Sequence, residues 1–167
     1  QTAKEVWEIA NRKLQSEDYS ARGLILMSNV KIICTTDDPV SDLSWHREYR
    51  AGSTHAPRML PTFRPDRILA VGNRDYPQYT AELSACAKIS VTDFESLRRA
   101  LDQRMDHFSE NGCRLSDHSL SAFYLYPWKD REIDEIMRIR AGNGVLSTEQ
   151  QHQYRSAVLC YLAGSYA

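Results

Sequence analysis

The sequence predicts an α/β fold with parallel strands joined by right-handed crossovers. Three observations lead there. Short β-branched or apolar runs alternate with longer segments of helical period. Each run passes into a polar cluster at its carboxyl end before the next helix begins. The 167 residues, 42% hydrophobic and 26% charged, are an ordinary globular mix of about one domain's length.

At the amino end Val6, Ile9, Ala10, Lys13 and Leu14 share one helical face. A short second helix follows Ser20, through Leu24 and Met27. The period then changes, and Val30-Lys31-Ile32-Ile33-Cys34-Thr35 reads as a buried strand. It runs into Thr36-Asp37-Asp38-Pro39, where Asp38 suits an N-cap and Pro39 a first helical residue. A helix is therefore expected from there to near Gly52. A second strand, interrupted by Pro61, is expected from Arg58 to Phe63 and runs into Arg64-Pro65-Asp66. A helix then starts near Pro77, with Tyr79, Leu83 and Cys86 inward. The next begins at Thr92, where Thr92-x-x-Glu95 reads as a capping box, and carries the stripe Phe94, Leu97, Leu101, Met105 and Phe108 as far as Gly112. Cys113-Arg114-Leu115 is a third short strand, ending in Ser116-Asp117-His118. Of the last two helices, one spans about Asp130 to Arg140 and stops at Gly142. The other opens with Ser147-x-x-Gln150 and buries Tyr154, Ala157, Val158, Tyr161 and Leu162. Residues 1–29 are a helical segment and 30–167 carry the strands, in one structural unit. So small a sheet among seven helices, and a last helix that reaches Ala167 without a stop, point to a piece of a larger α/β structure.

Charge and cysteine narrow the function classes. Lys and Arg number 21 against 22 Asp and Glu, a net charge of −1, and this removes the simplest case for a nucleic-acid binder. No apolar run approaches the ~18 to 20 residues that span a bilayer, and no export signal is visible, so a soluble cytoplasmic domain is expected. Cys34, Cys86, Cys113 and Cys160 are far apart, without a C-x-x-C pair or zinc-finger spacing, and read as buried free thiols.

The chemistry gathers at the strand ends. Thr35-Thr36-Asp37-Asp38, Arg64-Pro65-Asp66 and Ser116-Asp117-His118 each follow a strand, and in parallel α/β folds that end of the sheet carries the active site. Asp37, Arg64 and Asp117 should therefore lie together at one end of a parallel sheet. An arginine fork suits a substrate carboxylate or phosphate, and an Asp and a His beside it can supply acid–base chemistry or hold the arginine. Bland readings stand beside these. Asp37 or Asp38 can be a helix cap, Arg64 a surface residue paired with Asp66, and Asp117 a turn-stabilising residue. His46, His107 and His152 lie at solvent-compatible helix positions and receive no role. His55, in a Gly-Ser-Thr loop, is expected to be exposed, and Trp7, Trp45 and Trp128 read as packing residues.

Thr35-Thr36-Asp37-Asp38-Pro39 followed by Leu43-x-x-His46, then Phe63-Arg64-Pro65-Asp66, resembles uronate (glucuronate) isomerase of the amidohydrolase superfamily. Asp106-His107-Phe108 leading into Gly112-Cys113-Arg114-x-Ser116-Asp117-His118 extends that resemblance, which runs from around Trp7 to Ala157-Val158-Leu159. It implies a distorted (β/α)8 barrel of several hundred residues, of which this chain is the middle. Residues 1–29 would end a helical insertion, and the rest would form a partial barrel covering roughly strands 2 to 4. It also implies an aldose–ketose isomerisation of hexuronates, D-glucuronate to D-fructuronate and D-galacturonate to D-tagaturonate. The family's divalent metal, expected to be zinc, is held by a His-x-His pair and an Asp on strands outside this segment, and no His-x-His occurs in the sequence.

Moving a carbonyl from C1 to C2 needs a proton taken from C2, one delivered to C1 and a hydroxyl proton shuttled. By analogy with the family, Arg64 clamps the C6 carboxylate, with Thr36 and Asp37 at the rim as further substrate-binding candidates. Asp117 and His118 are the catalytic candidates, in or just behind the substrate shell; no residue here is assigned as general base. The 167-residue chain alone is expected to be inactive and to self-associate. Two rivals remain: a non-catalytic sugar-acid-binding or interaction domain from an incomplete barrel, and a phosphoryl-handling domain using Asp37 and Asp38 with Mg2+. The second is weakened by the absence of a Gly-rich phosphate loop.

Overall fold

The computed structural model describes residues 2–52, 57–120 and 125–167. His55, expected to be exposed, lies outside the described residues. The elements follow in the order α1 (Ala3–Leu14), a 3-10 turn (Glu17–Tyr19), α2 (Ala21–Met27), β1 (Ile32–Cys34), α3 (Ser44–Gly52) and β2 (Arg58–Leu60). Then come α4 (Asp66–Leu69), α5 (Tyr76–Ala87), α6 (Phe94–Glu110), α7 (Asp130–Ala141) and α8 (Thr148–Tyr166). No described helix is long and apolar enough to cross a membrane.

The sheet is parallel, with Ile32 paired to Arg58 and Cys34 to Leu60. Its ladder continues past the strand ends. Thr35 N–H donates to Leu60 O at 3.0 Å, Asp37 N–H to Thr62 O at 3.0 Å, and Arg64 N–H to Asp37 O at 2.9 Å. Phe63 in turn bridges to Ser116, its N–H donating to Leu115 O at 3.0 Å while its carbonyl accepts from Asp117 N–H at 3.1 Å. The third strand expected at Cys113–Leu115 is thus reduced to one parallel bridge at Ser116, beside a two-stranded sheet. Pairing at a single residue is too little to propagate a strand.

Burial of β1 is also a correction. Ile32 and Cys34 are exposed, because the described residues put no packed layer over that face. All four cysteines are free, but Cys113 alone is buried and Cys86 and Cys160 are half-buried.

The core belongs to α5 through α8. Tyr79 and Leu83 of α5, Leu97, Leu101 and Phe108 of α6, Ile133 and Ile136 of α7, and Tyr154 and Leu162 of α8 interlock around Phe63, Ile68 and Val71. A polar pair within this interior is satisfied internally, with the hydroxyls of Tyr76 and Tyr154 2.6 Å apart. By contrast, α1 and α2 bury nothing among the described residues, although Ser20 caps α2 as expected and Thr2 and Glu5 box α1. Trp7 and Trp45 are exposed rather than packed, and only Trp128 lies against the core.

Two helix starts move. The helix expected from Pro39 begins at Ser44, because Asp38 turns its carboxylate to Val40 N–H and Tyr79 O–H. Buried Arg104 holds the intervening loop, donating to Pro39 O at 2.7 Å and Ser41 O at 2.8 Å. Asp93, not Thr92, caps α6: its carboxylate accepts Ser96 N–H, and the Ser96 hydroxyl accepts Asp93 N–H. Gly112, at φ 93°, then ends α6 where a side chain would crowd Leu60.

Candidate functional site

The three candidate segments meet at the carboxyl end of the parallel ladder, with Asp37, Phe63 and Ser116 in register across it. Contacts divide the candidates into two groups.

Arg64 centres the first. Its Nε donates to Asp66 Oδ2 at 2.7 Å, and its Nη1 stands 3.3 Å from Asp117 Oδ2. Ladder hydrogen bonds on Phe63 and Asp117 hold the two backbones in register, which is why side chains so far apart in sequence meet. Asp66 opens α4 behind Pro65, and its other oxygen accepts Ser119 N–H at 2.9 Å. The hydrogen bond to Asp66, reinforced by the charges of Asp66 and Asp117, holds the Arg64 guanidinium above its ordinary value. The surface pairing of Arg64 with Asp66 is therefore present. It leaves the Nη2 edge of the fork without a hydrogen-bond partner among the described residues.

His118 stands beside this group, half-buried. Burial pushes its imidazole below the ordinary 6.5, toward the neutral form. Its Nδ1 is buried with no partner among the described residues, and its Nε2 lies 3.4 Å from the Tyr166 hydroxyl. Tyr166 also approaches Phe63, with ring centroids 6.4 Å apart. Sequence reasoning missed Tyr166; the signal was its position four residues after Leu162, on the same helical stripe.

The second group holds Asp37. Its Oδ2 accepts from the Thr35 hydroxyl at 2.5 Å and from Thr62 N–H at 3.3 Å. His46 Nε2 lies 2.7 Å from the same Thr35 hydroxyl and 3.6 Å from Asp37 Oδ2. His46 is 5% exposed, so the solvent-compatible position expected for it is wrong: α3 folds that face onto the sheet end. Thr36 is exposed at the rim.

Asp38, beside them, is committed to the fold. Burial pushes its carboxyl up, and the same burial pushes up the Tyr79 hydroxyl that bonds to it at 2.9 Å. No group of three or more His, Cys, Asp or Glu among the described residues could hold a metal ion, and Asp38 Oδ1 is already taken by Val40 N–H and Tyr79 O–H.

A family model described as glucuronate isomerase matches residues 1–167. The uronate isomerase of Endomicrobium trichonymphae is 36% identical over 167 residues, which is 100% of this chain and 36% of that protein. That of Cellvibrio japonicus is 40% identical over 164 residues, 97% and 35% respectively. Among solved structures, uronate isomerase from Thermotoga maritima superposes with a TM-score of 0.87 at 27% identity, covering 99% of this chain and 36% of that one. Glucuronate isomerase from Caulobacter crescentus, at 18% identity and a TM-score of 0.79, shares the fold over 94% of this chain and 32% of its own. The chain spans about a third of the length of these relatives.

Proposed function

The chain belongs to the glucuronate isomerase family, and we propose that it supplies part of the substrate site of an enzyme that isomerises hexuronates. The reaction is D-glucuronate to D-fructuronate and D-galacturonate to D-tagaturonate. The family match over all 167 residues carries this reading. In it, residues 30–167 are part of a (β/α)8 barrel of the amidohydrolase superfamily, roughly strands 2 to 4, and residues 1–29 close a helical insertion. The enzyme is cytoplasmic, and the family's divalent metal is zinc. No group of three or more His, Cys, Asp or Glu among the described residues could hold that ion.

The geometry supports distinct roles. Asp66 and Asp117 hold two edges of the Arg64 fork, which pre-orients the remaining Nη2 edge for the C6 carboxylate. A fixed carboxylate keeps C1 and C2 in register with whatever moves the proton. His118, with Nε2 3.4 Å from the Tyr166 hydroxyl and Nδ1 buried, sits just behind the substrate shell, where it positions neighbouring groups rather than meeting substrate through Nδ1. Asp117 acts through Arg64, and Thr36 and Asp37 line the rim.

A coupled assay for fructuronate formation by the full-length enzyme tests this. Arg64→Lys keeps the charge but loses the fork, so kcat/KM should fall about tenfold or more, the worth of ~1.4 kcal/mol. Arg22→Lys, on α2, serves as the unaffected control. Unchanged kinetics in Arg64→Lys would return Arg64 to a surface ion pair, and uronate binding without turnover by the unmutated enzyme would favour the sugar-acid-binding reading.

A further inference from the structure

His46 is a buried titratable side chain that the roles above leave unused. It lies in the first turn of α3, 5% exposed, with Nε2 2.7 Å from Thr35 Oγ1. Thr35 Oγ1 lies 2.5 Å from Asp37 Oδ2, and Thr62 N–H reaches that same carboxylate oxygen at 3.3 Å. The direction of this chain follows from donor counting. Both acceptors in reach of the Thr35 hydroxyl, Asp37 Oδ2 and the Leu60 carbonyl at 3.3 Å, take its single proton rather than give one, and the nearer Asp37 receives it. Thr35 then faces His46 as an acceptor, and the imidazole must carry its proton on Nε2. The result is an ordered run from His46 N–H to the Thr35 hydroxyl to Asp37 Oδ2, in a half-buried setting where each bond polarises the next.

We propose that His46 is a positioning residue for Asp37. As the Nε2–H tautomer it orients the Thr35 hydroxyl, which together with Thr62 N–H saturates Asp37 Oδ2. Oδ1 is left without a hydrogen-bond partner among the described residues, on a side chain 14% exposed. That oxygen is the acceptor for a hydroxyl of a polyhydroxylated substrate. This proposal rests on the reading of Asp37 as part of the uronate rim. It makes the rim a rigid acceptor, whose orientation is set by a residue that never touches substrate.

The test uses the full-length enzyme, with kcat and KM for D-glucuronate and the imidazole 15N spectrum. His46→Gln retains an N–H donor near the place of Nε2, whereas His46→Leu fills a buried site with an apolar group. A packing role predicts that Leu serves at least as well as Gln. The relay predicts the opposite order: kcat/KM down about tenfold or more in His46→Leu and within about threefold of wild type in His46→Gln. Thr35→Val should match His46→Leu, Thr35→Ser should stay near wild type, and the Thr35→Val/His46→Leu double variant should be no worse than either single change. Equal activity of the Leu and Gln variants, or additive losses in the double variant, overturns the proposal. If the unmutated enzyme fails to turn over uronates, the functional reading falls. The relay is still read from the 15N signal that disappears in His46→Gln: an Nε2–H tautomer supports it and an Nδ1–H tautomer overturns it.

Discussion

Asp38 carries the clearest pH consequence of a single side chain. Burial raises its folded-state value above the unfolded 3.8, so the folded chain holds the proton to higher pH than the unfolded chain does. Its contribution is therefore present at low pH and lost as pH rises through the folded value, leaving an ionised carboxyl that costs stability at pH 7. Asp38→Asn keeps an oxygen for Val40 N–H and Tyr79 O–H. After allowance for solvent screening it should stabilise by about half a kcal/mol, ~1–2 °C in Tm at pH 7. Thermal melts should show that gain shrinking as pH falls toward 4; a constant gain would mean that burial of charge is not its source. At this scale the gathering of Asp37, Arg64 and Asp117 at one end of the parallel ladder was readable in the sequence, because a polar cluster follows each strand run. The partners were not. Asp38 next to a proline has every mark of a cap, and only packing against α5 turns it toward Tyr79. His46 sits between Trp45 and Arg47 in a segment that reads as polar, and its burial depends on Thr35 and Asp37 arriving from β1.

Among the elements, α6 separates local signal from tertiary outcome. Of its stripe, Phe94, Leu97, Leu101 and Phe108 are buried and Met105 is half-buried, much as the 3.6-residue period requires, and Ser147 with Gln150 caps α8 as expected. The α6 cap shifts by one residue because Asp93 can accept Ser96 N–H at 2.8 Å. Thr92 instead donates its backbone N–H to the Ser96 hydroxyl. Asp93→Ala should then cost about 1 kcal/mol and Thr92→Ala only a few tenths, as chemical denaturation would show. A larger loss in Thr92→Ala would restore the Thr92 box. Strands were harder to read than helices. Ile32 to Cys34 has β-branched character, but whether its faces are covered depends on what packs there, and whether Cys113 to Leu115 pairs depends on the approach of β2.

For the molecule as a whole, the imbalance lies between a closed helical core and an open amino-terminal side. Val6 (51% exposed), Trp7 (69%), Leu14 (60%) and Met27 (55%) stand out of α1 and α2, with Ile32 of β1 exposed beyond them. Exposed large apolar side chains in such number favour association. The 167-residue chain alone should therefore scatter light as a species heavier than its 19.2 kDa monomer, and it should show no uronate turnover with added Zn2+. Trp7→Glu should shift it toward monomer. A monodisperse monomer with full activity would show that a complete site lies within these residues. The parallel register has a further consequence, in the order of events during folding. Within α6 every backbone partner is four residues away, and such contacts form in microseconds or less. Ile32 must instead find Arg58, and Phe63 must find Ser116, each across a long intervening segment that has to close first. Arg64 and Asp117, whose meeting depends on that last bridge, are thus assembled late, after the helices beneath them have a shape to close upon.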